Sequence, residues 1–190
     1  ITARIATKAL HAMTGDVHIL VALNAETVSI HKDAVSDGAL IVYDPQDHEW
    51  QTSDFKKPVT FIAIPLRDMV RSKNADPVMR NTVTLGISAA LLGAPFKLLQ
   101  AVITDQFSKK GAEIVDQNVS FAQAGYDFVI EKYKNETTMH FDKGTITEEQ
   151  LVLNGSEALG IGAVRAGLKF AAVYPMTPIN ALISFLADHA

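Results

Sequence analysis

Apolar residues along this chain form short unbroken blocks and longer stripes of helical period. The block over 17–23 is broken only by His18 and predicts a strand. Asn24 suits the N-cap of a short helix over 25–32. After an Asp37-Gly38 turn, Ala39 to Tyr43 predicts the second strand. Val59 to Ile64 predicts the third, which leads through Pro65 into a short helix ending at Val70. None of these blocks alternates apolar with polar, so each is expected to be buried on both faces. That is the mark of an α/β fold with a parallel or mixed sheet covered on both sides. The polar stretch 45–57 between the second and third blocks reads as a loop and carries the sole tryptophan, Trp50.

The stripes predict helices. Ala3, Ile5, Ala6, Ala9 and Leu10 give one over 1–12. Asp76-Pro77 opens a helix over 78–92 that Gly93 closes. A second runs over 95–109, with Leu98, Leu99, Val102, Ile103 and Phe107 on one face, and a third over 112–134. Residues 132–150 are charged and aperiodic and read as an inter-domain linker, with a capping box at 145–148. Asn154 and Glu157 then form an Asn-x-x-Glu helix start, so Glu157 reads as a cap and not as a catalytic carboxylate. Phe170 to Tyr174 reads as a short buried strand running into Pro175-Met176-Thr177-Pro178, followed by a helix through Ala181, Leu182, Phe185 and Leu186. Thr177 falls where an N-cap belongs and Pro178 at the first helical position. A helix start beyond the carboxyl end of a strand suits a carboxylate or phosphate. The plainer alternative is a capped strand-to-helix turn.

Composition narrows the function. With 190 residues, 48% hydrophobic and 20% charged, the chain can bury a core, and disorder is not expected. A net charge of −4 argues against a nucleic-acid surface. No apolar run has the length of a membrane span, and Ile1 shows neither a charged leader region nor a cleavage site. The absence of cysteine excludes disulfides and a cysteine-held iron–sulfur cluster in this chain and fits a cytoplasmic setting. His18 has no partner at metal-ligand spacing and reads as a structural histidine. Asn118-Val119-Ser120 and Asn135-Glu136-Thr137 match the glycosylation pattern by chance. Lys109-Lys110 before Gly111 favours a helix C-terminus, with a phosphate-binding role as the alternative. The lack of a G-x-G-x-x-G or Walker loop disfavours a dinucleotide-dependent dehydrogenase.

Two sets of motifs carry a family resemblance. Asn154-Gly155-Ser156-Glu157-Ala158-Leu159-Gly160-Ile161-Gly162-Ala163, Arg165-Ala166-Gly167 and the Tyr174-Pro175-Met176-Thr177-Pro178 turn resemble the alpha subunit of 2-oxoacid:ferredoxin oxidoreductases. The matching region there is the start of the pyrimidine-type thiamine-diphosphate domain. Val21-Ala22-Leu23-Asn24, Gly38 to Asp44, Met79-Arg80-Asn81-Thr82, Phe107-Ser108-Lys109-Lys110-Gly111 and Ala122-Gln123-Ala124-Gly125-Tyr126 resemble the fused gamma domain of the same enzymes. The sequence departs from the family at Ser156, at Met176 in place of Ile, and at Ile179-Asn180 in place of Ser-Ser. It also lacks the Gly-rich strand and loop that open the gamma domain, and an Arg-Gly-Gly-His stretch expected near His11.

The resemblance implies a three-layer gamma-type α/β domain over 1–134, a linker over 135–150 and a truncated pyrimidine-type domain over 151–190. It implies CoA-dependent, reversible oxidative decarboxylation of 2-oxoglutarate to succinyl-CoA, with electrons passing to ferredoxin; pyruvate is the second choice. Thiamine diphosphate, Mg²⁺ and a [4Fe-4S] cluster would be carried mainly by a partner beta subunit, in a dimer of alpha–beta heterodimers. Thr177 would hold the substrate carboxylate, with Tyr174, Pro175 and Pro178 shaping the turn. Arg80, Asn81, Lys109 and Lys110 would face the cofactors, and no residue here would bind a metal. The glutamate that activates the aminopyrimidine would lie beyond Ala190, so the chain is expected to be one piece of a larger subunit. A non-catalytic docking module for a partner is the alternative of another class.

Overall fold

The computed structural model describes residues 2–6, 14–134, 136 and 153–189. They fall into two compact units, 1–144 and 145–190, each taken by itself.

The first unit is built on one sheet of three parallel strands in the order β1 (Val17–Val21), β2 (Val35–Tyr43), β3 (Val59–Ala63). Parallel neighbours need a crossover. Between β1 and β2 it is α1 (Ala25–His31), whose first turn is capped by Asn24 Oδ1 accepting from Thr27 N at 2.9 Å. Between β2 and β3 it is a loop with a 3₁₀ turn at Thr52–Asp54. Successive side chains of β2 go to opposite faces. Ala39 and Ile41 pack with Val28 and Phe55, whereas Leu40 and Val42 pack with Ile62, Val83 and Phe121. Both faces are apolar for that reason, and the sequence shows no alternation.

The second strand is longer than its apolar block. The expected Asp37-Gly38 turn lies inside β2, where Gly38 takes φ +71°. The register with β1 jumps there, from Val17 opposite Val35 to Ile19 opposite Leu40. Only glycine enters that backbone region without strain. His18 stands at this irregularity and is exposed, so it is not a buried structural histidine.

On one face of the sheet, Trp50, Phe55, Phe61 and Tyr43 pack edge to face in sequence, at centroid separations of 6.2, 5.7 and 5.8 Å. The other face is covered by helices. α2 (Leu66–Arg71), α3 (Met79–Leu91) and α5 (Ala112–Lys132) contribute Leu66, Val70, Val83, Ile87, Phe121 and Val129 to one cluster. α4 (Phe96–Phe107) is held to the sequel by Tyr126, whose ring packs on Phe96 and whose hydroxyl donates to Ala94 O at 3.1 Å.

α3 and α5 cross without side chains between them. A Cβ on Gly86 would stand 1.8 Å from Ala122 O, and one on Gly125 2.2 Å from Val83 O. Beside this seam the buried Thr82 hydroxyl donates to Asn118 Oδ1 at 2.9 Å, and Asn118 Nδ2 donates to Ile114 O. Asn118 is thereby buried and engaged, which agrees with a chance glycosylation match. At the β3 edge, Tyr133 Oη accepts from Ala63 N at 3.1 Å and donates to Ala63 O at 2.9 Å.

Residues 2–6 are irregular and exposed, not helical as the stripe suggested; the rest of that expected helix lies outside the described residues. Ile5 is exposed, and a short helix with no buried face does not hold in water. The expected linker lies almost wholly outside the described residues, as do the capping box at 145–148 and the segment around His11.

In the second unit, α6 (Gly155–Arg165) opens with the expected capping box: Asn154 Oδ1 accepts from Glu157 N at 2.9 Å, and Glu157 Oε2 from Asn154 N at 2.8 Å. It closes on Gly167 at φ +85°, with Leu168 N donating to Ala163 O and Gly167 N to Val164 O. That is a Schellman ending. α7 (Thr177–Asp188) packs on α6 through Phe185, whose ring sits where a Cβ on Gly160 would be, 2.2 Å away. Residues 168–176 between them are exposed and unpaired, so the strand expected over 170–174 does not form. A strand needs a neighbour for its backbone groups, and among the described residues of this unit there is none. No helix among the described residues is long and apolar enough to cross a membrane.

Candidate functional site

In the first unit, polar chemistry gathers where β2 and β3 end. Asp44 follows β2 and is 1% exposed. Its Oδ1 accepts from Gln46 N at 3.0 Å and its Oδ2 from Arg67 N at 2.8 Å, so it caps the first turn of α2 from a neighbouring segment. Asp47 pairs with the Arg67 guanidinium, and its Oδ2 is buried without a hydrogen-bond partner. Gln46 Nε2 donates to Asp68 Oδ2 at 2.6 Å. Tyr43, the last residue of β2, has its phenol pushed above the ordinary value, first by burial and then by Tyr133 and Glu49.

Beside this hub lies a cleft of about 480 Å³ lined by Arg67, Val70, Arg71, Asn74, Pro77 and Arg80, with Ala75. Arg67 and Arg71 are one turn apart on α2 and share its face. Arg80 enters from the first turn of α3 and is half-buried; its Nε donates to Pro77 O at 3.3 Å. Asn81 follows, exposed, its carbonyl accepting from Thr84 Oγ1. Lys109 and Lys110 sit in a 3₁₀ turn, Ser108–Lys110, at the end of α4. Both are exposed, and Lys110 Nζ lies 5.3 Å over the Phe107 ring. Among the described residues no hydrogen bond or ion pair joins either lysine to Arg80 or Asn81. The described residues hold no group of three or more His, Cys, Asp or Glu suited to a metal.

In the second unit the turn before α7 differs by one residue from expectation. Met176 is the N-cap, Thr177 the first helical residue and Pro178 the second. The Thr177 side chain therefore does not cap the helix; Ile179 N and Asn180 N donate to Met176 O instead, at 3.0 and 3.1 Å. The displacement leaves the Thr177 hydroxyl without a partner among the described residues, beside the positive end of a 12-residue helix. Tyr174 is 79% exposed, and Pro175 and Pro178 are exposed as well.

Comparison with known proteins connects these features. The pyruvate ferredoxin/flavodoxin oxidoreductase family matches residues 1–128. The chain belongs to that family. A curated relative, the alpha subunit of 2-oxoacid:ferredoxin oxidoreductase 2 from Aeropyrum pernix, is 21% identical over 211 residues, covering 90% of this chain and 33% of the relative. A solved structure, the 2-oxoglutarate:ferredoxin oxidoreductase from Magnetococcus marinus with 2-oxoglutarate, coenzyme A and succinyl-CoA bound, shares the fold at a TM-score of 0.78. It is 24% identical and covers 90% of this chain and 30% of its own. The chain thus spans about a third of the length of these relatives. As a pyruvate ferredoxin/flavodoxin oxidoreductase family member, it carries the α/β fold that its motifs implied.

Sequence reasoning picked out Arg80 but missed Arg67 and Arg71. A signal was present: two arginines four apart directly after Pro65, where a short helix was already expected. The hub of Asp44 and Asp47 had no sequence signal, because its hydrogen bonds reach across to α2.

Proposed function

We propose that this chain is part of the alpha-type subunit of a 2-oxoacid:ferredoxin oxidoreductase. The reaction is the reversible, CoA-dependent oxidative decarboxylation of 2-oxoglutarate to succinyl-CoA, with electrons passed to ferredoxin. What carries this reading is the family match over 1–128 followed, in the same chain, by the Tyr174-Pro175-Met176-Thr177-Pro178 turn. The 2-oxoacid and 2-oxoglutarate names of the relatives support the substrate class and the choice within it.

The turn fits one carboxylate. Thr177 offers a hydroxyl at a helix start, and a carboxylate there gains from the helix dipole as well as from the donor. Pro175 and Pro178 hold the backbone in place, and Tyr174 stands next to it. Arg80, Asn81, Lys109 and Lys110 are the residues that would meet phosphate groups of a cofactor or of coenzyme A. Thiamine diphosphate, when bound, supplies the carbanion-stabilising chemistry. Cysteine is absent from the chain, so the [4Fe-4S] cluster belongs in this reading to a partner beta subunit, together with Mg²⁺ and most of the thiamine diphosphate site.

The test is viologen reduction, dependent on coenzyme A, by the full-length subunit purified with its partner, with 2-oxoglutarate and pyruvate in parallel. Thr177→Ala is expected to lower the rate at least about tenfold, the loss of one hydrogen bond to a charged group at roughly 1.4 kcal/mol or more. An unchanged rate would remove Thr177 from the site. No activity on either 2-oxoacid, with the partner's cluster intact, would overturn the enzyme reading.

A further inference from the structure

We infer that the cleft between α2 and the start of α3 is an anion site that takes a pyrophosphate or phosphate-ester group on Arg71 and Arg80. The cleft collects three guanidinium groups and no carboxylate among its lining residues, in a chain whose net charge is −4. Like charges placed together repel, and an anion between them removes that cost. The three arginines are not equivalent. Arg67 is paired with Asp47 and held by the β2-end hub. Arg80 uses Nε on Pro77 O and keeps both terminal nitrogens for another acceptor. Arg71 has no hydrogen bond or ion pair among the described residues. The carboxylates nearest in sequence are engaged elsewhere: Asp68 accepts from Gln46 Nε2, and Asp76 Oδ1 from Val78 N. Arg71 and Arg80 are therefore the two charges free to act. Val70, Ala75 and Pro77 give apolar walls that lower local screening, and Asn74 adds an amide. Planar guanidinium forks match the paired oxygens of a phosphate.

The chemistry of the cleft stands on this geometry; the choice between two sources of the phosphate rests on the proposed oxidoreductase reading. One source is the nucleotide of coenzyme A, the other the diphosphate of thiamine diphosphate. Calorimetric titration of the full-length subunit with its partner separates them, with inorganic pyrophosphate, 3′,5′-ADP and thiamine diphosphate as probes. Wild type is compared with Arg71→Ala, Arg80→Ala, Arg71→Lys and Lys57→Ala. Lys57 is an exposed lysine at the opposite, amino end of β3 and controls for general charge. Arg71→Ala and Arg80→Ala are each expected to weaken pyrophosphate at least about tenfold, as for a lost charge-assisted pair. Arg71→Lys should fall between, and Lys57→Ala should stay within about twofold. A parallel loss for 3′,5′-ADP identifies the nucleotide as the source, and a parallel loss for thiamine diphosphate the cofactor. Equal losses in Lys57→Ala and Arg71→Ala, no loss in either arginine variant, or no saturable binding by wild type would overturn the site. Binding is read apart from turnover. Loss of viologen reduction with arginine-dependent binding intact would fail the enzyme reading alone, and activity without arginine-dependent binding would fail this inference alone.

Discussion

Replacing Gly125 by alanine sets two effects against each other, and their magnitudes decide the sign. Helix propensity favours alanine over an interior glycine by about 1 kcal/mol. Packing opposes it. The new Cβ would meet Val83 O at 2.2 Å, while real Cβ contacts essentially never fall below 3.0 Å. The obstacle is backbone, so α3 and α5 must move apart. A gap of that size forfeits roughly a quarter to a half of the contact energy across it. Val83, Ile87, Phe121 and Val129 are buried along or beside this crossing, each contributing about 2 kcal/mol. The loss then comes to roughly 2–4 kcal/mol, and net destabilisation to about 1–3 kcal/mol, the usual range for an overpacked core. Urea unfolding followed by far-UV circular dichroism measures it from the shift in midpoint. Gly86→Ala, with 1.8 Å to Ala122 O, should cost at least as much. Gly162→Ala in α6, where a Cβ meets nothing within 4 Å, should instead raise stability of its unit by up to about 1 kcal/mol. A midpoint unchanged or raised in Gly125→Ala would refute the close crossing.

Two further outcomes follow from the β3 edge and its neighbour. Tyr133→Phe removes the hydroxyl that serves both Ala63 N and Ala63 O, and should cost about 1–2 kcal/mol in the same unfolding assay, with faster hydrogen exchange at Ala63. Tyr43 has a folded pKa above its unfolded one, so the folded state holds its proton longer; its contribution is intact below the unfolded pKa and is lost as pH rises through the folded one. The melting temperature should therefore fall on the alkaline side of about pH 10, and less steeply in Tyr43→Phe; identical alkaline slopes would exclude Tyr43 as the cause.

What the sequence disclosed depended on how local each feature is. The three strands, α1 and the helices from α3 to α6 were legible because unbroken apolar blocks and caps such as Asn24 and Asn154 act within a few residues. Phe170 to Tyr174 has the composition of a strand, but strand formation needs a partner, and composition cannot say whether one is present. Thr177 and Met176 exchanged roles because an N-cap is fixed by backbone angles as well as by side-chain type. Gly38 looked like a turn between elements because the pattern shows glycine's backbone freedom, while the register that absorbs it inside β2 is set by β1. Of the candidate site residues, the motif-borne ones were visible, whereas Arg67 and Arg71 acquired meaning only when α2 and α3 brought them to one cleft with Arg80.

The exposed stretch between α6 and α7 has a colloidal consequence. Phe170 to Tyr174 is apolar, uncharged, high in β-propensity and open along its whole backbone, with Phe170 81% exposed. Such a segment is a template for stacking onto copies of itself. It is bracketed by Lys169 and Pro175, a charge on one side and a residue without an amide donor on the other. These two positions act as gatekeepers: they limit how far an intermolecular ladder can extend, and they keep an otherwise adhesive five-residue strip compatible with a dispersed protein.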